Sequence, residues 1–430
     1  MKVVTGATLI DGTGGPVLPN ASVVIDGERI VDVGPGGHVS YPDDTEVVSI
    51  SGMTLLPGLI DCHDHLASPG VLGPLEPGQV GVGYGLERSW QLDAPFSIRV
   101  LDTAKTLKDT LDMGYTAVRD GGGLDAGFKQ AIEEGLIPGP RLVVSVSIIS
   151  PTGGLADHVA PSGHCQSSPV NPNLGIGIAD GPDAVRAKVR EMIRRGADVI
   201  KFATTGGASS RPGHGPRDQE YTLEEARVLV KEAHLHGRKA MCHAIGGPGL
   251  RVALEAGADT IEHGAYLDED PGYVMMMSEG GAFFVPTFTV YVYHSATPTP
   301  HIRPRAQALW PHLQESVGKA LAAGVKVVAG TDAGGYVHGD NAQELQCMVE
   351  AGMSTMQAIQ AATGWAAECI GLEKDIGTVE KGKLADLVVV DGDPLTDIRV
   401  LRQKERINMV FKGGQVQLDR RGKTGAKVAS

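Results

Sequence analysis

Leu55-Leu56-Pro57-Gly58-Leu59-Ile60-Asp61-Cys62-His63-Asp64-His65 is a short apolar run that ends in two histidines one residue apart. Its length and its closing ionisable residues predict a buried strand. In a strand, residues i and i+2 point to the same side, so both imidazoles can project together and share one ion. Seven further apolar runs follow, at 117–120, 142–149, 199–204, 240–243, 260–263, 283–287 and 325–331. Helical patterns separate them: Val185, Val189, Met192 and Ile193 repeat at helical spacing. Thr222-Leu223-Glu224-Glu225 has the form of a capping box and predicts a helix running to about residue 236. Strands alternating with helices predict a parallel sheet, and eight such units close a (β/α)8 TIM-like barrel.

The two ends of the chain have a different texture. Val23-Val24-Ile25 and Ile30-Val31-Asp32-Val33 flank an Asp26-Gly27 turn, and Met409-Val410-Phe411 faces Val416 across Lys412-Gly413-Gly414. Neither end buries both faces of a small sheet alone. The expectation is therefore one small β-sandwich domain built from 1–55 plus 376–430, joined to a barrel over 56–375.

Composition narrows the classes further. The 430 residues are 42% hydrophobic and 21% charged, an ordinary composition for a globular chain with a sizeable core. The 59 glycines exceed the usual ~7%, which predicts many tight turns and long loops. Those loops fall at about 66–95, 151–181, 206–221, 290–302 and 334–341, mostly after strands, where barrel enzymes build their sites. A net charge of −13 with no basic run argues against nucleic acid as a partner. No apolar stretch is long enough to span a bilayer, and no signal-peptide core is visible, so the sequence predicts a cytoplasmic protein with no membrane partner. Five scattered cysteines do not form a disulfide pattern.

Ionisable groups end several of the apolar runs. Lys201 follows Val199-Ile200, His243 follows Met241-Cys242, His263 follows Ile261-Glu262, and Asp332 follows Gly330-Thr331. One such residue would read as a polar strand end; agreement across five strands points to a metal centre, because burying a lone lysine is costly. Cys62 and Cys242 alternate away from the ligand side and read as core. Cys165 has no identifiable histidine partner. His38, His234, His236 and His312 read as surface or helix residues, and His164, Tyr291, Tyr293, His294 and Arg303 as ordinary surface groups. One of these, or Arg211, is a candidate partner for a substrate carboxylate.

The ordered set His-x-His, Lys, His, His, Asp at strands one, four, five, six and eight resembles the metal-dependent amidohydrolase superfamily. The flanks Leu56-Pro57-Gly58-Leu59-Ile60-Asp61, Ile261-Glu262-His263-Gly264 and Gly330-Thr331-Asp332 agree with it, as does the tail Gly377-Thr378-Val379-Glu380-Lys381-Gly382-Lys383-Leu384-Ala385-Asp386. Val118-Arg119-Asp120, Ile200-Lys201 with Gly206-Gly207, and Val285-Pro286-Thr287 resemble its Xaa-Pro dipeptidase (prolidase-like) and imidazolonepropionase-related branch.

The resemblance implies two divalent metal ions, zinc in the first instance, bridged by hydroxide and by Lys201 carboxylated with carbon dioxide. Residue types alone also suit manganese, iron or cobalt. It further implies His63, His65 and Asp332 on one ion, His243 and His263 on the other, and Asp332 as general acid and base. Tyr221 is implied as an oxyanion stabiliser. The branch usually reads Thr-Gly-Gly-His after strand three, whereas this chain has Thr152-Gly153-Gly154-Leu155. Either His158 takes over the carbonyl-polarising role or the substrate is recognised differently. The implied substrate is a dipeptide or N-acyl amino acid, with a non-peptide amide, urea, carbamate or cyclic amide as the alternative, and a homo-oligomer is the implied assembly.

Overall fold

The computed structural model describes residues 1–68, 95–157, 171, 173–297 and 299–421. Five strands open the chain: β1 (Lys2–Leu9), β2 (Leu18–Asp26), β3 (Arg29–Pro35), β4 (Glu46–Ser49) and β5 (Thr54–Pro57). Three close it: β14 (Leu387–Val390), β15 (Ile407–Lys412) and β16 (Gln415–Asp419). They form one eight-stranded sheet in the order β16-β15-β14-β5-β1-β2-β3, with β4 pairing β1. The two hairpins expected from sequence are present, with Val23 opposite Val33 and Phe411 opposite Val416. Val4, Val23, Ile25, Val48, Leu387, Val389, Met409 and Phe411 bury together, so residues from both ends share one core.

β5 and β6 (Leu59–Asp64) replace the single strand expected at 55–62. Gly58 separates them, because a Cβ there would lie 2.0 Å from Thr116 Oγ1. β5 pairs with β1 and β14, whereas β6 pairs in parallel with β7 (Tyr115–Asp120). β7 in turn pairs with β8 (Arg141–Val144). A second parallel sheet has the order β13-β12-β11-β10-β9, comprising β9 (Ile148–Ile149), β10 (Val199–Ala203), β11 (Lys239–Ala244), β12 (Thr260–His263) and β13 (Phe283–Val285). Helices such as Phe96–Asp112, Pro182–Arg194, Leu223–Leu235 and Gly247–Ala256 make the crossovers that parallel strands require.

The strands that follow Gly58 up to β13 therefore lie in two parallel sheets, and besides the split first run two more of the eight runs depart from expectation. The third is split between β8 and β9, with Val146 in the left-handed region at φ 70°. The eighth is not a regular strand, yet it is tied to both sheets: Val328 N donates to Phe284 O at 2.8 Å, and Cys62 N donates to Ala329 O at 2.9 Å. Gly330 permits this approach, since a Cβ there would lie 2.4 Å from Val285 Cγ1 and 2.9 Å from His63 Cβ. Val185, Val189 and Met192 are buried as their spacing predicts, and Thr222 caps Leu223–Leu235 in a full capping box. The segment 290–302 is not a loop: Phe288–Ala296 is a helix that follows β13. Among the described residues no helix is long and apolar enough to cross a membrane.

Candidate metal centre

The strand ends bring four imidazoles together. His63 ends near His65 and His263, with ring centroids 5.4 and 5.2 Å apart, and His243 lies 4.4 Å from His263. Donor atoms of His63, His263 and Asp332 all fall within 4.8 Å of one another, a spacing able to hold a metal ion. His65 lies just beyond β6, so it is not the second residue of a strand pair; its Nε2 still reaches Asp332 Oδ1 at 3.2 Å, beside His63 Nε2 at 3.5 Å.

Each imidazole is oriented by a hydrogen bond on its far nitrogen, the usual way a metal-binding histidine is held. His63 Nδ1 donates to Glu262 Oε2 at 2.7 Å and His65 Nδ1 donates to Gly122 O at 2.9 Å. His263 Nδ1 pairs with Thr287 Oγ1 at 2.7 Å. The His63 contact leaves its Nε2 lone pair free, and the His263 contact does the same when Nδ1 is the donor, whereas His65 Nε2 is engaged by Asp332. His243 is turned round: Nε2 donates to Gly206 O at 3.2 Å, which leaves Nδ1 as its ligand atom. Burial holds His63 and His263 well below the ordinary histidine range and brings His243 down to about 3, so all three are neutral and able to ligate. Burial also lowers His65, but its bond to Asp332 outweighs this and raises it to about 9.

Lys201, on β10, is 1% exposed, and its Nζ has no hydrogen-bond partner among the described residues. Burial pulls the amine down to about 8. Such an orphaned nitrogen is unusual, because buried polar groups are normally paired. Burial alone would raise the Asp332 carboxyl, but His63, His65 and Lys201 reverse this and hold it below the usual carboxylate range.

Backbone strain concentrates here. His263, Thr287 and Asp332 are non-glycine residues in the left-handed region, at φ 73°, 53° and 57°. Each costs on the order of 1–3 kcal/mol and persists only where surrounding contacts enforce it. Two enforcing contacts are visible. Thr331 Oγ1 and N donate to Asp61 at 2.7 and 3.1 Å, and Glu344 accepts Phe288 N and Thr289 N at 2.9 and 2.8 Å.

The sequence did not single out Glu262 or Arg119 for this centre. Arg119 is fully buried, donates to Cys62 O at 2.5 Å and Glu262 Oε1 at 2.9 Å, and so fixes the carboxylate that orients His63. A carboxylate inside the apolar run 260–263 was the available signal. Glu262→Gln is expected to weaken metal binding by about 10–100-fold. It also leaves Arg119 without its ion-pair partner, at a cost of about 3–5 kcal/mol. Metal titration and denaturant unfolding of the purified variant check both effects; unchanged metal affinity would remove Glu262 from the account.

Tyr221, the implied oxyanion stabiliser, lies after β10 and just before the helix Leu223–Leu235. Its side chain is fully buried and its hydroxyl donates to Ala179 O at 2.8 Å, so its proton is directed at the backbone, not at a substrate oxygen. Tyr221→Phe should cost about 1 kcal/mol of stability with little change in kcat; a large fall in kcat alone would support the oxyanion role. His158, His164 and Cys165 lie outside the described residues. Leu155 lies near His243: a Cβ added at Gly207 would sit 3.3 Å from Leu155 Cδ1 and 3.4 Å from His243 Cε1.

Tyr291 and His294 are corrected, since both are buried and not surface groups. Arg211 donates to Gly153 O at 2.8 Å, and Arg303 is exposed. Cys62 and Cys242 are buried as expected, whereas His234 pairs with Asp259 and His312 with Asp268, both at 2.7 Å.

Comparison with known proteins agrees with this arrangement. Residues 54–417 match the amidohydrolase family. The ochratoxinase of Aspergillus niger is 32% identical over 97% of this chain and 86% of its own length. A crystal structure of a Xaa-Pro dipeptidase with bound methionine is 33% identical, with a TM-score of 0.82 over 96% of this chain and 99% of that one. A prolidase complexed with N-methylphosphonate-L-proline is 31% identical, with a TM-score of 0.84 over 96% and 98%. The chain belongs to the amidohydrolase family, in its prolidase-like branch.

Proposed function

We propose that this protein is a binuclear metal-dependent hydrolase that cleaves the amide bond of a dipeptide or an N-acyl amino acid. The observation that carries the proposal is Lys201: a buried, unpartnered amine among neutral imidazoles and an anionic aspartate. An ammonium there would repel cations. A neutral amine, favoured by the lowered pKa, can instead bond to the carbon of carbon dioxide and lose one proton, giving an anionic oxygen ligand.

In this reading His63, His65 and Asp332 would hold one ion, His243 and His263 the other, and carboxylated Lys201 would serve as a further anionic oxygen ligand. When bound, the ions, zinc in the first instance, would acidify water and polarise the scissile carbonyl. The protein's own residues supply the proton traffic. Asp332 takes the proton of the attacking water and delivers it to the leaving nitrogen. Glu262, with Arg119 behind it, keeps His63 in the ligating tautomer. Around this centre, the bridges at Phe284–Val327 and Asp64–Ala333 support closure of the two sheets into a (β/α)8 barrel. The shared core of the terminal sheet supports a sandwich domain built from 1–55 plus 376–430, joined to a barrel over 56–375.

Leu155 favours a second reading, hydrolysis of a non-peptide amide, urea, carbamate or cyclic amide, because an apolar group stands where the branch places its histidine. A release assay on zinc- and bicarbonate-loaded protein separates the two. The panel contains dipeptides, N-acyl amino acids, ureas and cyclic amides. Cleavage of the first two classes supports the proposal; turnover confined to ureas or rings would replace it with the second reading.

A further inference from the structure

The helix Phe288–Ala296 follows β13, and Glu344 clamps its first turn through Phe288 N, Thr289 N and Thr289 Oγ1. Two residues one turn apart, Tyr291 and His294, are 2% and 4% exposed. The Tyr291 ring centroid lies 6.2 Å from that of His263 and 6.3 Å from that of His294. The helix thus carries an imidazole into the site that is not one of the ligands.

Both ring nitrogens of His294 are buried, and neither has a hydrogen-bond partner among the described residues. The Gly335 carbonyl is near enough to favour its protonated form, but not placed for a hydrogen bond. Desolvation is the larger influence and lowers His294 to about 4, so the ring is neutral and offers one N–H donor and one acceptor. Leaving both idle in the interior is costly unless something else occupies them.

The surroundings indicate which part of a substrate that would be. His294 stands against the turn from Asp332 to Gly335, closed by Gly335 N donating to Asp332 O at 3.2 Å. A Cβ at Gly335 would lie 3.2 Å from Asp332 O and 3.9 Å from His294 Nε2, so the glycine keeps the space beside that nitrogen open. Asp332 delivers the proton to the leaving nitrogen in the reading above, so this turn borders the leaving half of the substrate. A carboxylate on that half needs a hydrogen-bond donor, and the anionic Asp332 cannot supply one.

We propose that His294 is a specificity-determining residue whose ring N–H hydrogen-bonds the carboxylate of the amino acid released from the substrate. The inference rests on the amide-hydrolase reading for the identity of the leaving half. Its own evidence is the pair of idle nitrogens and their position over the Asp332 turn.

The test is calorimetric binding to metal-loaded Asp332→Asn protein, which holds its ligands without turnover. The probes are a series of N-acetyl amino acids, each paired with the N-acetyl amine that lacks only the carboxylate. The expected result is a preference for the carboxylates that falls by about 10–100-fold on His294→Leu, at unchanged metal content, with partial recovery in His294→Asn, which keeps an N–H donor. A preference unaltered by His294→Leu would overturn the proposal. So would the absence of any carboxylate preference in the parent. Turnover of the same pairs by protein retaining Asp332 separates the two ideas. A His294-dependent preference without cleavage would sink the amide-hydrolase reading and leave this contact standing.

Discussion

Asp332→Asn is expected to lower turnover by about 10²–10⁴-fold while the protein folds normally and keeps nearly the parent metal content. Three features combine in that expectation. Asp332 Oδ1 reaches both His63 and His65, and its carboxyl is held in the anionic form, ready to accept a proton. Asparagine matches aspartate in shape and retains one ligating oxygen, but it cannot accept and return a proton. Asparagine also tolerates the left-handed backbone at this position, φ 57°, better than most residues, so strain does not confound the outcome. Steady-state kinetics with metal analysis on the same preparation decides it. Unchanged turnover would remove Asp332 from the proton transfer.

Lys201→Ala should act differently, losing metal and activity together. Its effect should exceed the roughly 10–100-fold that follows from removing a group behind the ligands, because in the proposed reading a ligand itself is removed. The substitution leaves a space the length of the lysine stem inside a fully buried strand, which a short carboxylate such as acetate or propionate can enter. Partial recovery of both metal content and turnover on adding that carboxylate is the expected result. Full metal content in the unrescued variant would show that Lys201 is not a ligand. The contrast between the two variants separates a group that moves protons from one that only holds ions.

Much of this candidate centre is legible in the sequence because its candidate ligands stand in or at the end of short apolar runs. A charged or imidazole residue in such a run is visible without knowing how the strands are arranged, and His63, Lys201, His243, His263 and Asp332 all stand out in this way. The supporting groups do not. Glu262 faces the interior one residue before a ligand, and Arg119 reaches it from a neighbouring sheet, so their relation depends on pairings that no local pattern records. Tyr291 and His294 read as surface groups in the sequence because an aromatic segment after Pro286 resembles a loop. Glu344, 50 or more residues away in the chain, supplies the acceptors that let it become a helix. The bond from the Tyr221 hydroxyl to the Ala179 carbonyl is likewise a long-range contact that no local pattern records.

The eighth run shows a similar limit. Its residues have strand composition, but close approach to β6 and β13 is set by Gly330 and by Asp61 bonding Thr331, not by regular pairing. The terminal sheet was foreseen because both ends carry period-two patterns and hairpin turns. The break at Gly58 leaves no such mark, because the apolar run continues without interruption from β5 into β6.

The most direct test of the central claim is a metal titration of chelated protein in bicarbonate buffer, with metal bound per chain and amide turnover measured at each point. The account predicts no turnover in the chelated state, and activity that rises with loading up to two ions per chain and falls when bicarbonate is withheld during reconstitution. Full turnover by protein shown to be free of metal would contradict it.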